Sequence, residues 1–319
     1  MKPMHNSPSW TSYTDILADE FGITFTCEPR ETWEDIRGHR VRMDTWLPTG
    51  EPRGTLILVH GGGGHGRVLA PFAIPAVAHG WRVLAPDLPG YGLTEPAPSF
   101  DWAYAEWPAI IADLADASDG PVVLMGLSLG GMTAVAAAQI ARSVDGVIAT
   151  TLIDAAEPEL FIQAARWPWL GRLTLFAISH LPWLVDRLWM PLSLATPLAA
   201  MSSRPRMQQY FCRDELLGGR WVAAKFFRKV HQFRLPEGDL PCPLTLVHPG
   251  ADNWTPLELS LPAFERINAP DKRLVNLSNG AHLPVEQPAF DELAEAVTAA
   301  LDRIADTSAA SPRSLLHHG

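Results

Sequence analysis

The sequence Gly-Leu-Ser-Leu-Gly at 126–130 places a serine between an apolar run and an alanine-rich run. The apolar run, 121–125, is short enough for a buried strand, and residues 132–141 have high helix propensity. A serine at such a strand-to-helix turn, with a glycine two residues away on each side, matches the G-x-S-x-G nucleophile pattern. The tight turn strains the serine backbone and exposes the hydroxyl, and a side chain at either glycine would collide with neighbouring backbone. Ser128 is therefore our candidate nucleophile.

Attack by a serine on a carbonyl needs backbone donors for the oxyanion. The amide of Leu129 lies at the start of the predicted helix, where unpaired N–H groups and the helix dipole favour negative charge. A second candidate source of donors is the loop at 60–66, His-Gly-Gly-Gly-Gly-His-Gly, which follows an apolar run at 55–59. This loop lacks the Lys-Ser/Thr pair of a phosphate-binding loop, so no nucleotide site is predicted.

These residues must be positioned by a sheet and its helices. The predicted strands cover 23–27, 39–47, 55–59, 82–85, 121–125, 147–153, 244–247 and 273–277. The predicted helices cover 69–79, 101–117, 132–141, 257–267 and 289–304. Residues 1–20 read as a polar arm, helical in part from Asp15. Strands that alternate with helices and are almost continuously apolar predict an α/β fold with a mostly parallel sheet. Ligands of such sheets gather at the carboxyl ends of the strands.

Several motifs follow predicted strands in a fixed order. They are HGGGGHG at 60–66, PDLPGYG at 86–92, GLSLGG at 126–131, GADNWTP at 250–256 and GAHLPVEQP at 280–288. In this order the sequence resembles the serine hydrolases of the α/β-hydrolase superfamily, over about 40–155 and 240–305. The resemblance implies the α/β-hydrolase fold and an activity like that of monoacylglycerol lipases and small-molecule esterases.

The resemblance also implies a catalytic triad. His282, after the last predicted strand, corresponds to the base. Asp252 corresponds to the carboxylate that orients it, and Asp154 is an alternative because some members of the superfamily use that position. A serine at the turn, rather than an aspartate, argues against the dehalogenases and epoxide hydrolases of this superfamily.

By the same resemblance, Gly62 supplies the second oxyanion amide beside Leu129, and Gly63 is an alternative donor. Gly63, His65 and Trp254 are possible pocket residues, and His248 is a further candidate. His60 is interpreted as a brace for the glycine loop.

The alternation of strands and helices stops after Asp154, where this superfamily inserts a cap. We expect hydrolase core at 21–154 and 240–306, a largely helical cap at 155–239 and a disordered tail at 307–319. The cap segment is rich in tryptophan and proline, which suggests an apolar acyl or aromatic pocket roofed by the cap. Its apolar run at 173–185 is too short and too interrupted to span a bilayer.

Charge and composition exclude some classes of function. The net charge of −10 argues against a general nucleic-acid binder. The three cysteines lie far apart, which signals neither a metal site nor a disulfide framework. No secretory signal is evident at the amino terminus, so we expect a cytoplasmic protein, without metal or cofactor.

The cap segment differs in charge from the rest of the chain. Residues 155–235 carry eleven Arg or Lys against five Asp or Glu, so the remainder carries about −16. This balance disfavours an aminopeptidase. It favours an acyl substrate with an anionic end, or transient contact with an anionic membrane surface.

The sequence thus predicts a hydrolase of carboxylic esters with an apolar acyl or aromatic group, acting through an acyl-enzyme. An amidase or a carbon–carbon hydrolase would use the same residues. A small-molecule binding protein on a hydrolase scaffold is the alternative of another class. The oligomeric state is left open.

Overall fold

The computed structural model describes residues 4–309 and is built around one large mixed sheet. The strands of the described residues are β1 (Arg30–Ile36), β2 (His39–Trp46), β3 (Thr55–Val59), β4 (Arg82–Pro86), β5 (Val122–Gly126), β6 (Gly146–Ala149), β7 (Trp189–Pro191), β8 (Trp221–Ala223), β9 (Leu244–His248) and β10 (Lys272–Asn276). The sheet order is β1-β2-β4-β3-β5-β6-β9-β10. From β4 to β10 neighbouring strands are parallel, whereas β2 is antiparallel to both β1 and β4. The predicted mostly parallel sheet is confirmed.

The register of the central strands brings their carboxyl ends to one edge. Val59 is opposite Gly126, Gly126 is opposite Ala149, and Ala149 is opposite Leu246. Every residue of β3, β5, β6 and β9 is buried. Loops that follow these strands therefore start close together on a rigid support.

Helices cover both faces of this sheet and form most of the insertion. They are α1 (Pro8–Phe21), α2 (Ala70–Ala78), α3 (Glu106–Asp116), α4 (Leu129–Ile140), α5 (Pro158–Ala164), α6 (Pro168–His180), α7 (Pro182–Val185), α8 (Leu192–Ala195), α9 (Pro205–Arg213), α10 (Ala224–Gln232), α11 (Leu257–Arg266) and α12 (Ala289–Ala309). α4 starts directly after Ser128, as the strand-to-helix pattern predicts. The α/β-hydrolase architecture predicted from the sequence is confirmed.

The amino-terminal segment differs from its prediction. The expected polar arm is the helix α1, capped by the Ser7 hydroxyl, which accepts the Trp10 N–H at 3.1 Å. Trp10, Tyr13 and Leu17 are buried in the main core, and the Tyr13 ring stacks on Tyr210 at 5.2 Å. The prediction placed helix only from Asp15 and missed the first half of α1, because its apolar residues are spaced among polar ones and the partner surface in α9 lies far along the chain.

The first predicted strand is also wrong. Residues 23–27 form no strand, and the first strand is β1. β1 is an edge strand with only half-buried and exposed residues, so its sequence carries little apolar signal. Ile23 packs into the core from irregular backbone instead.

The insertion between β6 and β9 contains α5 to α10. It also contains a small antiparallel sheet of β7 and β8, which the sequence did not suggest. At the other end, α12 continues through Ala309, so the boundary expected at 306 is too early. Most of the tail expected at 307–319 lies outside the described residues. Within residues 4–309, no helix combines the length and apolar character needed to cross a bilayer.

Candidate active site

Ser128 sits on a backbone turn that only the surrounding glycines permit. Its φ of 58° and ψ of −130° lie in a region that side chains rarely adopt. A Cβ at Gly126 would come within 2.0 Å of the Gly130 carbonyl oxygen, and one at Gly130 within 2.1 Å of the Val59 oxygen. The Ser128 N–H donates to the Thr150 hydroxyl at 3.3 Å. The expected strain is present, and the turn leaves the serine at the head of α4.

A buried histidine–carboxylate pair lies at the ends of β9 and β10. His282 Nδ1 is 2.7 Å from Asp252 Oδ2, and these residues are 2% and 4% exposed. The Thr255 hydroxyl donates to the same carboxylate oxygen at 2.7 Å. The Trp254 and Thr255 N–H groups donate to Oδ1, each at 2.9 Å. The carboxylate is therefore fixed in orientation by a ring of donors.

These donors also explain the ionisation of the carboxylate. Burial alone would raise the pKa of Asp252, but the adjoining His282 and the hydrogen bonds from Thr255 hold its pKa below the ordinary value. Asp252 is thus an anion at neutral pH.

The second imidazole nitrogen has no such partner. His282 Nε2 is buried and makes no hydrogen bond within residues 4–309. His282 and Ser128 both line a small cavity of about 30 Å³ beside the glycine loop. An unpaired buried nitrogen next to a strained serine is the arrangement that a proton-transferring base requires.

Asp154 is held elsewhere. Its carboxylate pairs with Arg266 of α11 and accepts the Ala156 N–H at 3.0 Å. The structure brings Asp252 to His282 and leaves Asp154 in a different contact.

The glycine loop is braced by His60. Its Nδ1–H donates to the Gly61 carbonyl at 2.8 Å, and its Nε2 accepts the Leu88 N–H at 2.9 Å. Burial lowers the pKa of His60, so the ring is neutral and both nitrogens are committed to the backbone. This leaves His60 no free nitrogen for proton transfer.

Backbone amides near Ser128 are free to bind an oxyanion. Within the described chain, the Gly62, Gly63 and Leu129 N–H groups make no hydrogen bond, whereas the Gly64 N–H donates to the Gly61 oxygen at 3.1 Å. Gly62 and Ser128 both line the small cavity and a larger one. Gly63 lines only the small cavity. Gly62 and Leu129 thus offer a pair of free donors beside the serine.

The larger cavity, of about 200 Å³, extends from Ser128 beneath the insertion. In the described chain its lining includes no charged side chain. Leu170 and Thr174 of α6 contribute, with Phe226 and Val230 of α10. An apolar group attached to the reacting carbonyl would fit this cavity, whereas a buried ionic end would have no countercharge.

Trp254 connects this site to the insertion. It lines both cavities, and its ring lies 4.4 Å from the His282 ring. Its Nε1–H donates to the Ala164 carbonyl of α5 at 2.9 Å. A single side chain therefore contacts the imidazole and the roof of the larger cavity.

The structure does not bring the other two histidines to the cavities. His65 is buried without a hydrogen-bond partner among the described residues, and burial lowers its pKa to about 3. His248 Nε2–H donates to the Thr255 carbonyl at 3.0 Å, which supports the loop of Asp252. Neither lines either cavity.

Two supporting residues were not singled out from the sequence. Thr255 bonds Asp252, as described above. The buried Glu286 accepts the Ala281 N–H at 3.1 Å and the Ser203 hydroxyl and N–H at 2.9 and 3.1 Å. It ties the loop of His282 to the insertion. The sequence could have indicated this role, because Glu286 follows His282 by four residues in the same motif.

The sequence profile described as "Alpha/beta hydrolase family" matches residues 56–296, which is most of the chain. This chain belongs to the alpha/beta hydrolase family. A curated relative, the pimeloyl-[acyl-carrier protein] methyl ester esterase of Xanthomonas oryzae pv. oryzae, is 34% identical over 113 residues. That match covers 35% of this chain and 40% of the relative, so the chain spans less than half the length of the curated relatives it matches.

Solved structures of related fold include two lipases. The monoacylglycerol lipase of Paleococcus ferrophilus matches with a TM-score of 0.60 and 22% identity, covering 83% of this chain and 99% of that one. A soluble variant of monoglyceride lipase from Saccharomyces cerevisiae, in complex with a substrate analog, matches with a TM-score of 0.66 and 17% identity, covering 88% and 96%. At this identity the likeness establishes the fold alone.

Proposed function

We propose that this protein is a serine hydrolase that cleaves carboxylic esters of an apolar acyl or aromatic acid through an acyl-enzyme. The observation that carries the proposal is the buried His282–Asp252 pair at 2.7 Å, whose free imidazole nitrogen shares a cavity with the strained Ser128. The names of the relatives and structural neighbours, which include esterases and lipases, support ester chemistry.

The first chemical step uses the pairing of these residues. His282 Nε2 takes the hydroxyl proton as Ser128 Oγ attacks the ester carbonyl, and the Asp252 anion stabilises the imidazolium that forms. The negative charge on the carbonyl oxygen is held by the Leu129 and Gly62 N–H groups. Loss of one such donor costs about 3 kcal/mol in the transition state.

The second half returns the enzyme to its starting state. The imidazolium gives its proton to the leaving alcohol oxygen, and the carbonyl carbon stays bonded to Ser128 as an ester. Water, deprotonated by His282, then attacks this ester, and the acid leaves as the serine regains its proton.

The two cavities suggest how the substrate divides. The leaving oxygen must lie near His282, which lines the cavity of about 30 Å³. This cavity is much smaller than the cavity of about 200 Å³, so we assign a small leaving alcohol to it. The acyl group is assigned to the apolar cavity of about 200 Å³. The name of the Xanthomonas relative, a methyl ester esterase, agrees with this division.

The test is a hydrolysis panel on the full chain. We expect turnover of p-nitrophenyl esters that rises with acyl length until the larger cavity is filled, and loss of turnover in Ser128→Ala. Methyl esters should exceed glyceryl esters of the same acid in kcat/KM. Equal hydrolysis by Ser128→Ala, or binding of acyl compounds without any turnover, would contradict the proposal, and the second result would favour the binding-protein alternative. Faster cleavage of the matching amides would favour an amidase.

A further inference from the structure

The outer side of the insertion exposes most of the large apolar side chains that reach solvent. Fourteen large hydrophobic residues are exposed in the described chain, and eleven of them lie between Trp167 and Trp221. Six of these form what we call the roof face: Trp167, Trp169, Leu173, Phe176, Trp183 and Leu184. Trp169 and Trp183 are each 60% exposed. Exposed apolar surface of this extent marks a site of interaction with a protein or a membrane.

Three residues of the roof face lie on the outer side of α6, whose inner side lines the larger cavity. On α6, Leu170 and Thr174 line that cavity, whereas Trp169, Leu173 and Phe176 recur at helical spacing on the solvent side. A helix that covers a core normally carries polar residues outside. An apolar surface on both sides is therefore not explained by packing of the insertion onto the core.

Arginines border the roof face. Arg166 lies over the Trp167 ring at 4.5 Å and Arg187 over the Trp183 ring at 5.9 Å. Arg172, on α6, is exposed. The neighbouring acid, Asp186, is neutralised by Arg228, whose nitrogens lie 2.6 and 2.7 Å from its oxygens. The segment 155–235, which carries this face, has eleven Arg or Lys against five Asp or Glu, so it is positive on a chain whose net charge is −10.

We propose that the roof face docks on the interface of an anionic lipid bilayer. Tryptophan and arginine together suit the headgroup region, because the rings bury apolar area while the polar edges and guanidinium groups meet water and phosphate. The negative remainder of the chain is repelled by such a surface, so the attraction orients the roof face toward it.

Other occupants fit these residues less well. A second copy of the chain would bring the same three arginines together at the contact, which is unfavourable. An acidic protein would need a denser cationic cluster than three arginines spread around six apolar side chains. A bilayer needs only broad apolar area with a few cations.

Docking would place the site next to a reservoir of apolar esters. An α-helix with its side chains is about 10 Å across, so α6 alone would separate the bilayer from the larger cavity. This role is independent of the catalytic proposal, since a protein without esterase activity could dock in the same way.

The test is co-sedimentation of the full chain with vesicles of phosphatidylcholine, with and without phosphatidylserine. We expect binding to the vesicles that contain phosphatidylserine, weakened by salt. Binding should fall at least tenfold in Trp169→Ser/Trp183→Ser, and Arg172→Gln/Arg187→Gln should remove the preference for phosphatidylserine. The matched control is Leu47→Ser/Leu274→Ser, which removes two exposed apolar residues elsewhere and should bind like the wild type.

Circular dichroism and hydrolysis of a water-soluble ester, if the wild type has that activity, establish that each variant is folded. Absence of wild-type binding to both kinds of vesicle would overturn the proposal, as would equal loss of binding in the control. A concentration-dependent dimer in sedimentation velocity, abolished by Trp169→Ser/Trp183→Ser while vesicle binding is absent, would assign the face to a second copy.

Discussion

At the residue scale, the site depends on side chains whose positions are fixed by backbone that cannot relax. Ser128 keeps a positive φ because Gly126 and Gly130 let β5 and α4 meet almost in contact. This conformation could be predicted from the spacing of glycines alone. Thr255 could not, because its role arises only once the loop after β9 folds back on Asp252.

The strain at Ser128 predicts different stabilities for two small substitutions. Ser128→Gly should be more stable than Ser128→Ala by about 1 kcal/mol, because only glycine adopts this backbone freely. Both should be inactive. Urea unfolding of the two variants measures the difference. Equal stability, or a less stable glycine variant, would contradict the strained turn.

The assignment of Asp252, and not Asp154, as the carboxylate that orients the base predicts a large difference in kcat between their Asn variants. Asp252→Asn should lower kcat by about 10⁴-fold, because the imidazole loses its orienting anion. Asp154→Asn removes only the contact with Arg266 on the surface and should retain most of the activity. Steady-state kinetics on one p-nitrophenyl ester checks both, and the reverse ranking would overturn the assignment of Asp252.

At the element scale, the parallel strands and the helices between them could be predicted because their apolar runs are long and regular. The first half of helix α1 and the short pair β7 and β8 could not, because the segments that they pack against or pair with are distant in sequence. The insertion illustrates the same limit. Its composition predicted an apolar roof, but not that Trp254 and Glu286 would connect it to the loops of the site.

The link through Glu286 predicts an effect on catalysis without contact with substrate. Ala281 and Ser203 donate to different oxygens of the Glu286 carboxylate. Glu286→Gln leaves only one acceptor oxygen, so one of these two hydrogen bonds is lost. A hydrogen bond to a charged group contributes about 1.5–3 kcal/mol, and we expect kcat to fall roughly tenfold with a smaller change in KM.

The matched control for Glu286 is Glu295→Gln on the exposed side of α12, which should leave kcat unchanged. Kinetics and thermal unfolding are measured together. An unchanged kcat in Glu286→Gln, with wild-type thermal stability, would show that this carboxylate does not position the loop of His282.

At the scale of the whole molecule, buried charge joins the glycine loop to the sheet. Asp87 accepts the Gly66 N–H at 2.7 Å and pairs with Arg42 at 3.3 Å, and Arg42 in turn contacts Asp44 at 2.6 Å. Burial alone would raise the pKa of Asp87, but Arg42 holds it below the ordinary value. His65 lies among these groups as a neutral ring, because burial lowers its pKa from 6.5 to about 3.

The buried His65 predicts loss of stability in acid. Below about pH 6.5 this ring is protonated in the unfolded chain but stays neutral in the folded protein. The free energy of unfolding therefore decreases as the pH is lowered from about 6.5 to about 3. The slope is at most about 1.4 kcal/mol per pH unit. His65→Leu should remove it, whereas the surface control His79→Gln should not.

Urea unfolding of the three proteins at a series of pH values measures this slope. If His65→Leu and the wild type lose stability equally as the pH falls, the ring is not held neutral by burial.

The central claim is that Ser128 becomes covalently acylated through His282. It is tested most directly by treating the protein with a p-nitrophenyl phosphonate and locating the adduct by peptide mass spectrometry. We predict one adduct on the peptide that contains Ser128, slow labelling in His282→Gln and none in Ser128→Ala. An unlabelled wild-type protein, or an adduct on another residue with Ser128 unmodified, would contradict the claim.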